Sequence, residues 1–169
     1  MITAFTDKKF IIASDASAFE LKEAVKKHFI AKNYEVKDVG TQQKDTPVAY
    51  YIAGSSAAQE VSDGRFQFGI ILCGSGMGVC MAASKYKNVQ CAACESVQTA
   101  KSARFINNAN MLAFGANVVS EMVAIEMVET FIATEFLQGI ENVADQEFLT
   151  DALTQLEGIY KAAAGAFIE

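Results

Sequence analysis

The chain has 169 residues, 51% of them hydrophobic and 20% charged, with a formal net charge of −6. That is about one domain of ~100–200 residues, large enough to bury a core without staples and too apolar to be intrinsically disordered. No basic face is visible for a nucleic acid and no uncharged apolar run reaches the ~18 residues of a membrane helix, while only Arg65 and Arg104 stand among the 14 basic residues.

KFIIASD (9–15) is a short apolar run closing on a carboxylate, which reads as a buried parallel strand of a cytoplasmic chain rather than a signal-peptide core. AFELKEAVKKHFIAK (18–32) sets Phe19, Leu21, Val25, Phe29 and Ile30 near one helical stripe. YEVKDVG (34–40) alternates as a second strand does. After Pro47, the only proline, a helix runs to Gly64. FQFGIILCG (66–74) is a strongly apolar strand, and GMGVCMAASKY is a short helix after a glycine-rich turn. VQCAAC (89–94) reads as the fourth strand. SVQTAKSARFINN reads as a helix capped by Ser96, ANMLAFG (109–115) as the fifth strand, and 120–137 as an amphipathic helix capped by Ser120. A last helix begins near Asp145. No repeat, low-complexity tract or linker divides the chain. Residues 1–169 are expected to form one domain, with 139–169 as a C-terminal helical tail.

Strands alternating with helices imply an α/β fold with a parallel sheet covered on both faces. The expectation is a flavodoxin-like, doubly wound, five-stranded sheet of order 2-1-3-4-5 with an extra C-terminal helix. In that order the winding reverses between strands 1 and 3, and ligands bind at the carboxyl ends of strands beside such a reversal. Strand 1 ends at Asp15 and strand 3 at Cys73-Gly74-Ser75-Gly76-Met77-Gly78, so the two most polar strand ends flank one crevice.

Glycines at 74, 76 and 78 let the backbone approach a ligand, and a loop opening a helix offers amides to an anion. The spacing is neither the dinucleotide GxGxxG nor a P-loop, which needs Lys-Ser/Thr. A thiol beside helix N-terminal amides is set up to react, so Cys73 is expected to be the most reactive of the four cysteines. It could take a proton from carbon while the amides hold an enolate oxygen, or act as a nucleophile in acyl or phosphoryl transfer. Cys91-Ala-Ala-Cys94 has redox spacing, but in a strand the two thiols face opposite sides, which points to buried structural cysteines. His28, the single histidine, lies among lysines and reads as structural.

The segments SDASAFELKEAV, YEVKDVGT, GIILCGSGMGVCMAASK and ARFINNANMLAFGANVV together resemble the ribose-5-phosphate isomerase B and galactose-6-phosphate isomerase family over roughly residues 10–137. The tail ADQEFLTDALTQLEGIY looks like that of the longer galactose-6-phosphate isomerase subunit. The resemblance implies aldose–ketose isomerisation of a sugar phosphate without metal or cofactor. It also implies a flavodoxin-like domain in a homodimer or larger oligomer with sites shared between chains. By the same likeness Cys73 is the catalytic base and the Gly74–Gly78 loop, with Ser75, Gly76 and Gly78, holds the enediolate. Asp15 binds sugar hydroxyls and Asn107 helps bind the enediolate.

The pattern also departs from that family. Asp15-Ala16-Ser17-Ala18 stands where the family usually has Asp-His-Ala-Gly, and Ile106-Asn107 where it has His-Asn, a histidine commonly assigned to opening the sugar ring. Asn117 stands for an arginine, Gly139-Ile140-Glu141-Asn142 for a Gly-Arg-His stretch, and Asp45-Thr46-Pro47 for Asp-Tyr-Pro. The cation left near the site is Arg104 or Lys85, and Arg104 reads equally as a structural residue on a solvated helix face. Three readings follow: an isomerase of a phosphorylated or acidic sugar, either with an open-chain substrate or with its site completed by a paralogous partner chain; a non-catalytic subunit or binding protein; or another cysteine-based enzyme.

Overall fold

The computed structural model describes residues 3–165. Strands β1 (Lys9–Ser14), β2 (Glu35–Asp38), β3 (Gly69–Cys73), β4 (Cys91–Ala93) and β5 (Met111–Gly115) form one sheet in which every pairing is parallel. Helices α1 (Phe19–Ala31), α2 (Tyr50–Ser62), α3 (Met77–Ala83) and α4 (Val97–Phe105) lie in the connections; α5 (Glu121–Ala133) and α6 (Val143–Gly165) follow the last strand. Each element expected from the sequence is present within a few residues of its expected bounds. The largest difference is α5, which ends at Ala133 because Thr134 is extended and Phe136 donates its amide to the Thr3 carbonyl at 2.8 Å.

The doubly wound sheet with helices on both faces and a C-terminal helix is present, but the strand order is β2-β1-β3-β5-β4. The last two strands are exchanged relative to the expected 2-1-3-4-5. Their composition gives the reason. Met111–Gly115 is buried at every position, whereas the three-residue Cys91–Ala93 is partly exposed throughout. A continuous apolar strand belongs inside a two-sided sheet, and a short strand of small residues is a tolerable edge.

Alternation along the strands builds two cores. Phe10, Ile12, Ile70, Leu72, Leu112 and Phe114 face α1, α4 and α5. Ile11, Ala13, Ile71, Cys73, Met111 and Ala113 face α2 and α3. The first core is aromatic, with Phe10 stacked on Phe68 at 5.3 Å and edge-on to Phe29 at 5.4 Å. The second is built on small residues. A Cβ at Gly54 of α2 would lie 2.7 Å from the Val79 carbonyl of α3, so the glycine permits that close approach.

One charged cluster braces the carboxyl edge. Lys22 is fully buried, pairs with Asp38 and donates to the Thr41 carbonyl at 2.8 Å, while Lys26 bonds Asp38 at 2.8 Å and Glu23 at 2.7 Å. Burial pushes the Asp38 carboxyl up, but Lys22, Lys26 and the Gly40 amide outweigh it and hold the carboxyl below its ordinary value. The expected caps are present: Ser96 accepts from the Thr99 amide at 3.2 Å in a capping box, and Ser120 from the Val123 amide at 3.4 Å.

Candidate active site

The parallel sheet brings the ends of β1, β3 and β5 side by side. β1 leads into α1 on one face and β3 into α3 on the other, so a crevice opens between their ends. Asp15 follows β1 and caps the 3-10 turn Ala16–Ala18, accepting from the Ser17 amide at 3.0 Å and the Ser17 hydroxyl at 2.5 Å. That turn fixes the carboxylate beside the strand end.

Cys73 is the last residue of β3 and only 5% exposed. Its sulfur accepts a hydrogen bond from the Gly76 amide at 3.1 Å. Ser75 is exposed, and its hydroxyl accepts from the Met77 amide at 3.4 Å. Gly76 has φ +81, and a Cβ there would lie 2.7 Å from the Phe114 carbonyl carbon. A Cβ at Gly78 would lie 2.7 Å from the Tyr50 ring. These two glycines therefore serve close packing of the loop against β5 and α2. At Gly74 a Cβ would come 3.1 Å from the Asn117 amide nitrogen and 3.4 Å from the Ser17 hydroxyl. Ser17, Asn117, Gly74 and Ser75 thus gather polar groups from three neighbouring strand ends. Ser17 and Asn117 drew attention in the sequence only as departures from a family pattern; their proximity depends on β5 lying next to β3.

Asp15, Cys73, Gly74, Ser75, Gly76 and Gly78 are brought to one end of the sheet, and Asn107 and Arg104 are not. Asn107 is exposed in the turn from α4 into the amino end of β5, and a five-residue strand separates the sheet's two edges by roughly 16 Å. Arg104 is fully buried at that same amino edge. It donates to the carbonyls of Ala109 at 2.6 Å, Thr3 at 3.1 Å and Thr134 at 3.4 Å, and to the Asn108 side chain at 2.9 Å, and it lies 4.1 Å over the Phe5 ring. Burial lowers its pKa to about 10. Arg104 is therefore a structural residue in this chain, a correction to its expected place on substrate. Lys85 follows the end of α3 and also lies away from the crevice. His28 bonds Glu129 at 2.8 Å, tying α1 to α5.

The cysteines separate as strand alternation required: Cys91 packs in the α2–α3 core and Cys94 in the opposite one. Cys80 differs from expectation. The Cys91 thiol, the Ser84 hydroxyl and the Ala93 amide outweigh its partial burial and lower its pKa to about 7. An open groove of about 1260 Å³ runs between α1 and α5, on the face away from the Cys73 side chain. Among the described residues no group of three or more His, Cys, Asp or Glu is placed to hold a metal ion, and no helix is long and apolar enough to cross a membrane.

The molecule is thus a doubly wound α/β domain whose winding reversal carries a cysteine and a glycine loop at the end of β3, next to the β1 strand end that leads into Asp15. The sequence model of the ribose/galactose isomerase family matches residues 10–146, and the chain belongs to that family, whose reaction is aldose–ketose isomerisation. It is similar to a 4-deoxy-4-sulfo-D-erythrose isomerase of Clostridium sp. (strain MSTE9), 39% identical over 90% of this chain and 98% of the relative. It is 31% identical to a D-erythrulose-4-phosphate isomerase of Pectobacterium atrosepticum, over 76% of this chain and 84% of the relative. Among solved structures, ribose-5-phosphate isomerase B of Clostridium thermocellum superposes with a TM-score of 0.83 at 30% identity, covering 92% of this chain and 99% of that one.

Proposed function

We propose that the chain interconverts an aldose and a ketose of an open-chain, four-carbon sugar bearing a terminal anion. One observation carries the choice of substrate: the crevice has no imidazole. Ala16 and Ile106 occupy the family's histidine positions, and the only histidine, His28, is held by Glu129 between α1 and α5. A pentose or hexose phosphate closes into a ring through a distal hydroxyl, and opening it needs an acid–base group. A tetrose phosphorylated at C4, or one whose C4 hydroxyl is replaced by a sulfonate, has no hydroxyl with which to close a five-membered ring. The two relatives named for four-carbon substrates support the same reading.

The chemistry then needs one base and one oxyanion site. Cys73 removes the proton at C2 of the aldose and returns it to C1, while the hydroxyl proton passes from O2 to O1 within the enediolate. The loop amides from Gly74 to Gly78 hold the charge developing on the enediolate, and Asp15 holds the sugar hydroxyls. Ser17, Ser75 and Asn117 add neutral polar contacts around Gly74. Asn107 cannot reach this site in its own chain and comes from a second copy. Large apolar side chains left in solvent, among them Tyr51, Met122, Phe148 and Ile159, favour such an assembly.

The test is turnover by the purified chain. Erythrose 4-phosphate and 4-deoxy-4-sulfoerythrose should give their ketoses, with ribose 5-phosphate slower by about 10² or more, the usual weight of a missing acid–base group. Equal or faster turnover of ribose 5-phosphate overturns the open-chain assignment. Binding of the tetroses without turnover establishes the non-catalytic reading.

A further inference from the structure

We propose that Cys80 and Cys91 form a reversible dithiol–disulfide pair oxidised by peroxide, distinct from the isomerase site and from the CxxC spacing in the sequence. The fold brings these residues together. Cys80 lies on α3 and Cys91 begins β4, and the Cys80 sulfur sits 3.6 Å from the Cys91 carbonyl oxygen. α3 packs on β4 at this point, and both side chains lie on the α2–α3 side of the sheet. Cys94, three residues beyond Cys91, faces the other core and cannot compete for the same partner.

Strand order supplies the access. β4 is the edge strand, so both cysteines sit at the rim of the sheet, half-buried rather than sealed. The two sulfurs are also unequal. The Cys91 side chain, helped by the Ser84 side chain and the Ala93 amide, outweighs burial and favours the Cys80 thiolate, with a pKa of about 7, whereas the Cys80 sulfur and burial push the Cys91 thiol up. An attacking thiolate beside a resolving thiol is the arrangement a peroxide-sensitive pair needs.

The electrons balance in two steps. The Cys80 thiolate attacks one peroxide oxygen, the S–O bond forms, the O–O bond breaks, and the leaving hydroxide is protonated to water. Cys91 sulfur then attacks the resulting sulfenic acid; the S–S bond forms, the S–O bond breaks, and hydroxide leaves with the Cys91 proton as a second water. A thiol reductant reverses the change by exchange.

The test is intact mass and peptide mapping of the reduced full chain after hydrogen peroxide at neutral pH, with free thiols alkylated under denaturing conditions. The expected product has lost two alkylatable thiols of the four, links the peptides carrying Cys80 and Cys91, and reverts with dithiothreitol. C80S and C91S should each abolish that link, while C73S and C94S keep it; circular dichroism confirms that each variant folds. The wild-type map decides by itself if a variant does not fold. A link between any other two cysteines, four thiols left free, or sulfinic acid on Cys80 with no link would each overturn the proposal. None of these readouts depends on isomerase activity.

Discussion

The Gly76 amide donates to the Cys73 sulfur at 3.1 Å, and it does so from a left-handed backbone at φ +81. An L side chain at that φ is strained by about 1–2 kcal/mol. A Cβ at Gly76 would also stand 2.7 Å from the backbone of Phe114, which cannot yield without moving β5. Gly64 has φ +74 with nothing within 4 Å of its would-be Cβ. Gly64→Ala should therefore cost only the conformational strain, ~1 kcal/mol, and Gly76→Ala distinctly more. Urea unfolding monitored by circular dichroism compares the two. Equal midpoints would show that the loop relaxes away from β5.

Arg104 separates a structural role from a substrate role. Its guanidinium satisfies three backbone carbonyls and the Asn108 amide from a fully buried position. Lysine cannot reproduce that fork. Hydrogen bonds to a charged group are worth about 1.5–3 kcal/mol each, so Arg104→Lys should lose at least about 2 kcal/mol of stability. Below its melting range the variant should keep the wild-type KM. A raised KM with unchanged stability would return Arg104 to the substrate.

Much of this was legible in the sequence because local signals were strong. KFIIASD and FGIILCG are continuous apolar runs with polar ends, and winding rules alone place them side by side, so the adjacency of these two strands was readable in the sequence. Ser96 and Ser120 announced their helices through cap chemistry. The exchange of β4 and β5 was less visible, since both strands read as apolar and only the small residues of Cys91–Ala93 hinted at an edge. Arg104 misled because a charge on a helix is usually solvated, and nothing nearby in sequence reveals the distant carbonyls of Thr3 and Thr134. Cys80 escaped notice because its environment comes from β4, a strand whose position in the sheet was itself misplaced.

The Lys22–Asp38 pair should shape the acid limb of stability. The folded carboxyl of Asp38 lies below its ordinary value, and Glu23 shifts the same way: burial raises it, but Lys22 and Lys26 outweigh burial. A depressed carboxylate contributes stability above its unfolded pKa of ~3.9–4.3, and that contribution fades as pH falls through the folded value. The wild type should lose stability below about pH 4. Asp38→Asn should be weaker at pH 7 by about 3 kcal/mol, because Lys22 remains buried without its main partner. It should also show a flatter acid limb. Urea midpoints between about pH 3 and 7 measure both effects; an unchanged acid limb would show that other carboxylates dominate.

Asn107 and Cys73 lie at opposite edges of one sheet, so a site that uses both must be built from two chains. Cys73→Ala should remove the proposed base and abolish exchange of solvent deuterium at the carbon beside the carbonyl. Asn107→Ala should weaken the enediolate site in the neighbouring copy. Each variant alone should be poorly active, by about 10² or more for Cys73→Ala. If the two are unfolded together and refolded in equal amounts as a symmetric dimer, about half the dimers are mixed. Each mixed dimer carries one site with neither substitution and one with both, so roughly a quarter of wild-type sites should return. Activity rising to that level on mixing demonstrates the shared site. If mixing restores nothing while both variants fold and assemble, Cys73 and Asn107 do not serve one site across chains. If Asn107→Ala alone retains full activity, the asparagine has no part in the reaction and the crevice works with Asp15, the glycine loop and their neighbours.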